Sequence, residues 1–289
     1  MAMVKIEGRQ MEISFQLKTA TSVIAGLMLL TCQLTIAETL PIIDTHIHYS
    51  HDAWQRIPPE EALEKLRAAG LRKVFVSSSS DEGTQMLYRL APGFIVPVLR
   101  PYRKRGETSS WMRDESVLPM LSRLLETNNY AGIGEFHASG DDIDLPVLQA
   151  VIALAQKHEL FLHAHVDADA IERIFKSDAN ARVLWAHSGF ESPAIIADLL
   201  EKYPGLRADL AFRNDHELDG MVEVRWQALF ERFPDRFVLG TDTYTPERWY
   251  YLSDQAQTSR TWLGTLDKEL AERIAYRNAE QLLQEVGFK

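Results

Sequence analysis

The sequence predicts an α/β protein built as a (β/α)8 TIM barrel, with a signal peptide before it and extra helices after it. Three observations carry this. Short apolar, strand-like runs alternate with helical patterns from residue 38 onward. Eight such units occupy about 250 residues, the usual size of this barrel. Side chains able to bind a metal recur at the carboxyl ends of the runs, where barrel active sites sit. An open doubly wound sheet fits the alternation too, but no glycine-rich nucleotide fingerprint follows the first run.

The elements follow in order. The first strand covers about 41–48; Pro58-Pro59 opens a helix that Gly70 stops. The second strand is Lys73 to Ser77, with a helix at about 82–91. The third is Phe94 to Leu99, where Pro97 removes a ladder donor; a longer loop and a helix from Asp114 to Glu126 follow. The fourth is Ala131 to Glu135, and Pro146 opens a helix reaching His158. The fifth, Leu160 to His165, precedes a helix at 168–176. The sixth, Arg182 to His187, precedes one from Pro193 to Tyr203. The seventh, Leu206 to Phe212, precedes one at 217–233. The eighth is Arg236 to Thr241, and helices at 246–256 and 267–286 end the chain.

Residues 1–37 read as a signal peptide. Lys18 precedes an apolar run from Thr19 to Leu30, and Thr35-Ile36-Ala37 suits cleavage after Ala37. An uncleaved anchor or a buried helix is the alternative. Cleavage leaves one barrel domain, 38–289, in the periplasm or outside the cell, without stable membrane insertion. The single cysteine, Cys32, lies in this segment. The remainder therefore has no thiolate, and any metal must be held by histidine and carboxylate. With 41 acidic against 31 basic residues the formal charge is −10, which argues against nonspecific binding to nucleic acid or anionic lipid.

His46 and His48, two apart on the first strand, share a face. Glu135 ends the fourth strand, His163 and His165 the fifth and His187 the sixth, and Asp242 follows the eighth. Five of the nine histidines thus stand at strand ends. A divalent ion brings the pKa of water to about 7, and a neighbouring carboxylate can take the proton. Asp242 suits that role, with a helix cap as its alternative. Glu135 follows Gly132 and Gly134, which allow close backbone approach. His51 and His137 read as loop residues. Arg100, Arg103, Lys104 and Arg105 cluster after the third strand and Arg213 follows the seventh; these are solvated charges or clamps for an anionic group. Trp54, Trp111, Trp249 and Tyr250 either wall a pocket or pack the loops.

The segments Ile43-Asp44-Thr45-His46-Ile47-His48, Ile133-Gly134-Glu135, Leu162 to His165, Ala186-His187-Ser188-Gly189 and Gly240-Thr241-Asp242 together resemble the amidohydrolase superfamily, nearest its amidohydrolase-2 branch. The Gly-Glu is similar to that of TatD-type and phosphotriesterase-like relatives. The resemblance spans residues 41–289. It implies a divalent metal, zinc foremost, as one or two ions. His46 and His48 would bind the more buried ion. Asp242 would be both ligand and proton acceptor, and Glu135 would bridge to a second ion. His165 and His187 would bind that second ion; with one ion, one of them would ligate and the other face the substrate. His165 lies nearer the mouth than His163, leaving His163 as an interior hydrogen bonder or a substrate contact. The implied activity is hydrolysis of an ester, lactone or amide of a small molecule, with Arg100 and Arg213 as candidate substrate contacts. A one-metal decarboxylase or hydratase and a noncatalytic periplasmic metal-binding protein are the alternatives. A nuclease is disfavoured by the acidic surface, and self-association is left open.

Overall fold

The structure, a computed structural model, describes residues 39–288. The segment read as a signal peptide, with Cys32, lies outside the described residues. Residues Thr39–Lys289 form one compact unit.

Eight parallel strands make the barrel: β1 (Ile42–Ile47), β2 (Leu71–Val76), β3 (Ile95–Leu99), β4 (Gly132–His137), β5 (Phe161–His165), β6 (Val183–Trp185), β7 (Leu206–Asp209) and β8 (Phe237–Val238). Each pairs with the next in chain order. The ring closes through β1: Thr45 donates its backbone N–H to Leu239 O at 2.9 Å, Asp242 N donates to His46 O at 2.8 Å and His48 N to Thr243 O at 3.0 Å. Closure therefore depends on the stretch that carries Asp242. Pro97 is accommodated in β3, where its carbonyl accepts from Ala131 N at 2.9 Å.

Helices return the chain between strands: α1 (Pro59–Ala68), α2 (Asp81–Leu90), α3 (Val117–Thr127), α4 (Pro146–Lys157), α5 (Ala168–Ser177), α6 (Pro193–Lys202), α7 (Val224–Arg232) and α8 (Leu252–Leu263). Proline at the first turn, where a missing N–H costs no bond, starts α1, α4 and α6. Gly70, at φ +70, ends the α1 turn in the left-handed region that favours glycine. The chain ends in helical turns from Lys268 to Glu285, with a π-type turn at Arg273–Arg277. Among the described residues no helix is long and apolar enough to cross a membrane.

Inside the barrel Ile43, Phe75, Val96, Val98, Phe161, Leu184 and Val238 form one apolar cluster with Ala279, Leu282 and Leu283 of the terminal helix. Ile43, Phe161 and Val238 each precede a candidate ligand in their own unit, so this plug lies on the amino-terminal side. Arg207 on β7 reaches Glu285 of that helix with both Nη atoms, at 2.7 and 2.8 Å.

Several boundaries differ from expectation. The helix expected at 217–233 starts at Val224, because Glu217–Leu218 and Met221–Val222 form a hairpin. Asp219-Gly220, at φ 53 and 77, supplies the tight turn such hairpins require. Strand six ends at Trp185 and His187 sits in a left-handed turn; strand seven ends at Asp209. The helix expected at 246–256 runs from Leu252 to Leu263, after a single turn at Arg248–Tyr250.

Gly83 on α2 lets the mouth close tightly. A Cβ there would lie 1.9 Å from Tyr49 O and 2.7 Å from the Trp54 ring. Gly83→Ala should destabilise by about 1–3 kcal/mol, as overpacking typically does. The thermal midpoint should fall by several degrees in a melting experiment.

Candidate metal centre

The centre is built from strand ends whose side chains are each oriented by a second bond. His46 is buried, and its Nδ1 lies 3.0 Å from Asp209 Oδ2. In the neutral ring, donation from Nδ1 leaves Nε2 unprotonated. That nitrogen has no hydrogen-bond partner, and it faces Glu135 Oε1 at 3.5 Å and Asp242 Oδ1 at 3.6 Å. His48 Nδ1 donates to Ser77 O at 2.5 Å. Its Nε2 lies 3.2 Å from Glu135 Oε2 and 3.4 Å from Asp242 Oδ1. His187 Nδ1 donates to Ala211 O at 2.8 Å, with Nε2 3.6 Å from Glu135 Oε1. His165 Nδ1 donates to Glu135 Oε1 at 2.8 Å.

These spacings fit a metal ion. Tetrahedral donors at bonds of about 2.1 Å stand roughly 3.4 Å apart. The described residues offer His46, His48 and Asp242 as one compact donor set and Glu135, His165 and His187 as another. His46, His187 and Asp209 form a third, but there the carboxylate is already used by imidazole and backbone N–H groups. An unpartnered buried nitrogen facing two carboxylates is what a missing cation would satisfy.

The electrostatics agree. Burial opposes the charge of Glu135, yet His46 and hydrogen bonds from His165 and His187 hold it well below the carboxylate range. Burial also works against Asp242, and His46 and His48 bring it to about 2. Burial works against charge on His46, and Glu135, Asp209 and Asp242 outweigh it, raising its pKa well above normal; a bound cation would take the place of that ring proton and free Nε2 to ligate. Ionised carboxylates in a sheltered cavity attract a cation.

Asp242 adopts φ 48, in the left-handed region. Arg248 Nε holds its carbonyl at 2.8 Å. The preceding Thr241 is tied to Asp44 by its backbone N at 3.1 Å and its hydroxyl at 2.7 Å. On the other side, His187 N donates to Asp209 Oδ1 at 2.7 Å and Ser188 Oγ to Asp209 O at 2.7 Å. Asp209, absent from the sequence reading, thus orients two of the histidines. Its signal was a lone acid inside an apolar strand.

A cavity of about 440 Å³ opens above the cluster. His48, Glu135, His165, His187 and Asp242 line it. His163 does not: it lies behind His46, its Nε2 3.1 Å from Asp209 Oδ2, and burial lowers its pKa to about 4. It is an interior hydrogen bonder and not a substrate contact. Arg100 lines the cavity, but its guanidinium is engaged by Glu135, at 3.0 Å to the carbonyl and 2.7 Å to Oε2. Arg213 is turned away, bonded to Asp215, His187 O and Glu191 O; it braces the His187 turn and clamps nothing in the cavity. Arg103 is bound by Glu107 and Asp114; Lys104 and Arg105 reach the cavity, where Arg105 pairs with Asp52 at 3.0 Å. His137 ends β4 and His51 starts a short helical turn, so neither is a loop residue, and both line the cavity. Trp111 and Trp249 are buried packing residues. Tyr250 lies outside, under Lys65. The aromatic wall comes instead from Phe190, Phe212 and Tyr244.

A closed parallel barrel with such a donor set at its carboxyl ends defines a metal-dependent barrel hydrolase. The amidohydrolase family model matches residues 114–284. This chain belongs to the amidohydrolase family. Among curated proteins, none matches the sequence. Solved structures share the fold. An uncharacterised TIM-barrel protein from Bordetella bronchiseptica is 16% identical with a TM-score of 0.60, over 86% of this chain and 100% of that one. A probable 2-pyrone-4,6-dicarboxylic acid hydrolase from Acinetobacter baumannii, with citric acid bound, is 12% identical with a TM-score of 0.55, over 86% and 99%. A zinc-bound amidohydrolase from Burkholderia multivorans is 14% identical with a TM-score of 0.50, over 86% and 99%. At these identities the likeness shows the fold alone.

Because Asp209 sets the tautomer of His46, Asp209→Asn should weaken zinc binding about 10–100-fold, as loss of such supporting bonds typically does. Competition with a chelating dye measures this; unchanged affinity would contradict the role.

Proposed function

We propose that the chain holds one divalent ion, zinc foremost, between His46, His48, Asp242 and Glu135. With it the enzyme hydrolyses an ester, lactone or amide bond of a small molecule carrying an anionic group. The observation that carries this reading is the unpartnered His46 Nε2, 3.5 and 3.6 Å from two ionised carboxylates. When bound, such an ion supplies Lewis acidity, bringing the pKa of water to about 7 and polarising an acyl oxygen.

The side chains do the rest. Asp242 accepts the proton of the attacking water and returns it to the leaving group. Its low pKa keeps it ionised for the first of these steps. His187 directs Nε2 into the same space and orients the scissile group. Lys104, beside an Arg105 already paired with Asp52, attracts the anionic end, on a loop fixed by Glu107, which accepts from the backbone N–H of Arg103 at 2.6 Å and of Lys104 at 3.4 Å. Phe190, Phe212 and Tyr244 follow β6, β7 and β8, so they face these cations across the barrel and suit an apolar portion.

The Arg100–Glu135 ion pair favours one ion over two, since a second dication on Glu135 would sit against a guanidinium. A single ion serves a decarboxylase or hydratase equally, which keeps a lyase as the second reading; release of CO2 from a carboxylic acid substrate distinguishes it.

Zinc-loaded protein should retain close to one ion per chain by elemental analysis and hydrolyse members of a lactone, ester and amide panel. Asp242→Asn should keep most of its zinc and lose about 10²–10⁴-fold in kcat. Two tightly held ions, or full turnover by the variant, would sink the mechanism. Residues 1–37, read as a signal peptide, further suggest a periplasmic or secreted enzyme. Periplasmic extracts of an expressing bacterium should then contain a chain beginning at Glu38, and recovery only in the cytoplasm would count against export.

A further inference from the structure

The cavity contains one side chain held more firmly than the proposed chemistry requires. His137 ends β4 two residues after Glu135, and its ring stacks on His165 with centroids 4.2 Å apart. Tyr102, 1% exposed, places its hydroxyl oxygen 2.7 Å from the His137 backbone nitrogen and 2.9 Å from Nδ1. The backbone N–H can only donate, so the hydroxyl accepts there; among the described residues Nδ1 is the one acceptor within reach of its own proton. Nδ1 is therefore an acceptor, and the ring proton belongs on Nε2. The His137 carbonyl is held as well, by Trp111 Nε1 at 3.0 Å. Tyr102 and Trp111 in turn pack edge to face, 6.1 Å apart. Backbone nitrogen, backbone oxygen and one ring nitrogen are thus all fixed from behind. Among the described residues nothing in the protein accepts a hydrogen bond from Nε2, and the ring lines the cavity.

We propose that His137 is a specificity-determining residue, presenting a fixed Nε2–H to an acceptor oxygen, best a carboxylate, on the part of the substrate away from the reacting bond. The assignment rests on the hydrolase reading above. His165 stands between His137 and His187, with centroids 4.7 Å apart for the second pair. His137 is thus one ring removed from the donor cluster, in reach of a substituent and not of the scissile carbonyl. Lys104 lines the same cavity and favours a charged acceptor. A donor committed in advance discriminates because a substrate without the oxygen leaves it unpaired.

Ring 15N spectra of the zinc-loaded protein, assigned with His137→Gln, should show His137 protonated at Nε2. Tyr102→Phe should mix the two tautomers, and benzoate should shift the Nε2 resonance. In kinetics, the native chain should prefer monophenyl succinate to phenyl butanoate. His137→Met should lose about 10–100-fold in kcat/KM on the succinate ester alone, at unchanged zinc content, with His137→Gln recovering most of it. A ring protonated at Nδ1, an Nε2 unmoved by saturating benzoate, or equal losses on both esters overturns the assignment. If the native chain cleaves neither ester nor any member of the panel, the hydrolase reading fails, and the tautomer and benzoate results alone decide the role of His137.

Discussion

One buried carboxylate organises the mouth of this barrel. Asp209 is fully enclosed, and ionisation there is tolerable only because donors surround it. Oδ1 accepts from the backbone of His187 at 2.7 Å and of Ala211 at 3.0 Å. Oδ2 accepts from His46 at 3.0 Å and His163 at 3.1 Å. Burial works against the charge, and these partners hold the pKa far below the ordinary range. In return the carboxylate orients His46, forms the turn that presents His187 and fixes His163 between them. Three strands are tied through one side chain, so the donor cluster is a property of the closed barrel and of no single motif.

The same economy governs the other side of the centre. The hydrogen bond that joins Asp242 N to His46 O is both a barrel-closing bond and the restraint on a candidate ligand. Gly240 allows this approach: a Cβ there would lie 2.6 Å from the His46 Cβ. The left-handed residues His187, Ser188 and Asp242 occur where the chain turns abruptly to aim a side chain inward, which is where such backbone is usually found.

Much of this could be read from residue order. The eight units, the proline-led helices and the clustering of histidines at strand ends follow from hydrophobic period and position. What could not be read was the destination of long or polar side chains. Arg100 and Arg213 have the same chemistry in the sequence, yet one folds under the mouth onto Glu135 and the other braces a turn. The alternation rule placed His163 and His165 on one face, but depth along that face separates an interior partner of Asp209 from a cavity residue. Asp209 itself was legible as an acid inside Leu206-Arg207-Ala208-Asp209-Leu210, a position that ordinary packing does not tolerate without partners. Asp219-Gly220 was a hairpin signal overridden by the helical pattern that follows it.

The terminal helix carries a consequence for how the chain comes together. Its leucines fill the barrel interior against Phe161 and Leu184, and Glu285 neutralises Arg207. During synthesis all eight strands therefore emerge before their floor, and the arginine on β7 has no counter-ion until Glu285 has left the ribosome. Assembly of the interior waits for that helix, and the chain made before it stays loose until the helix docks.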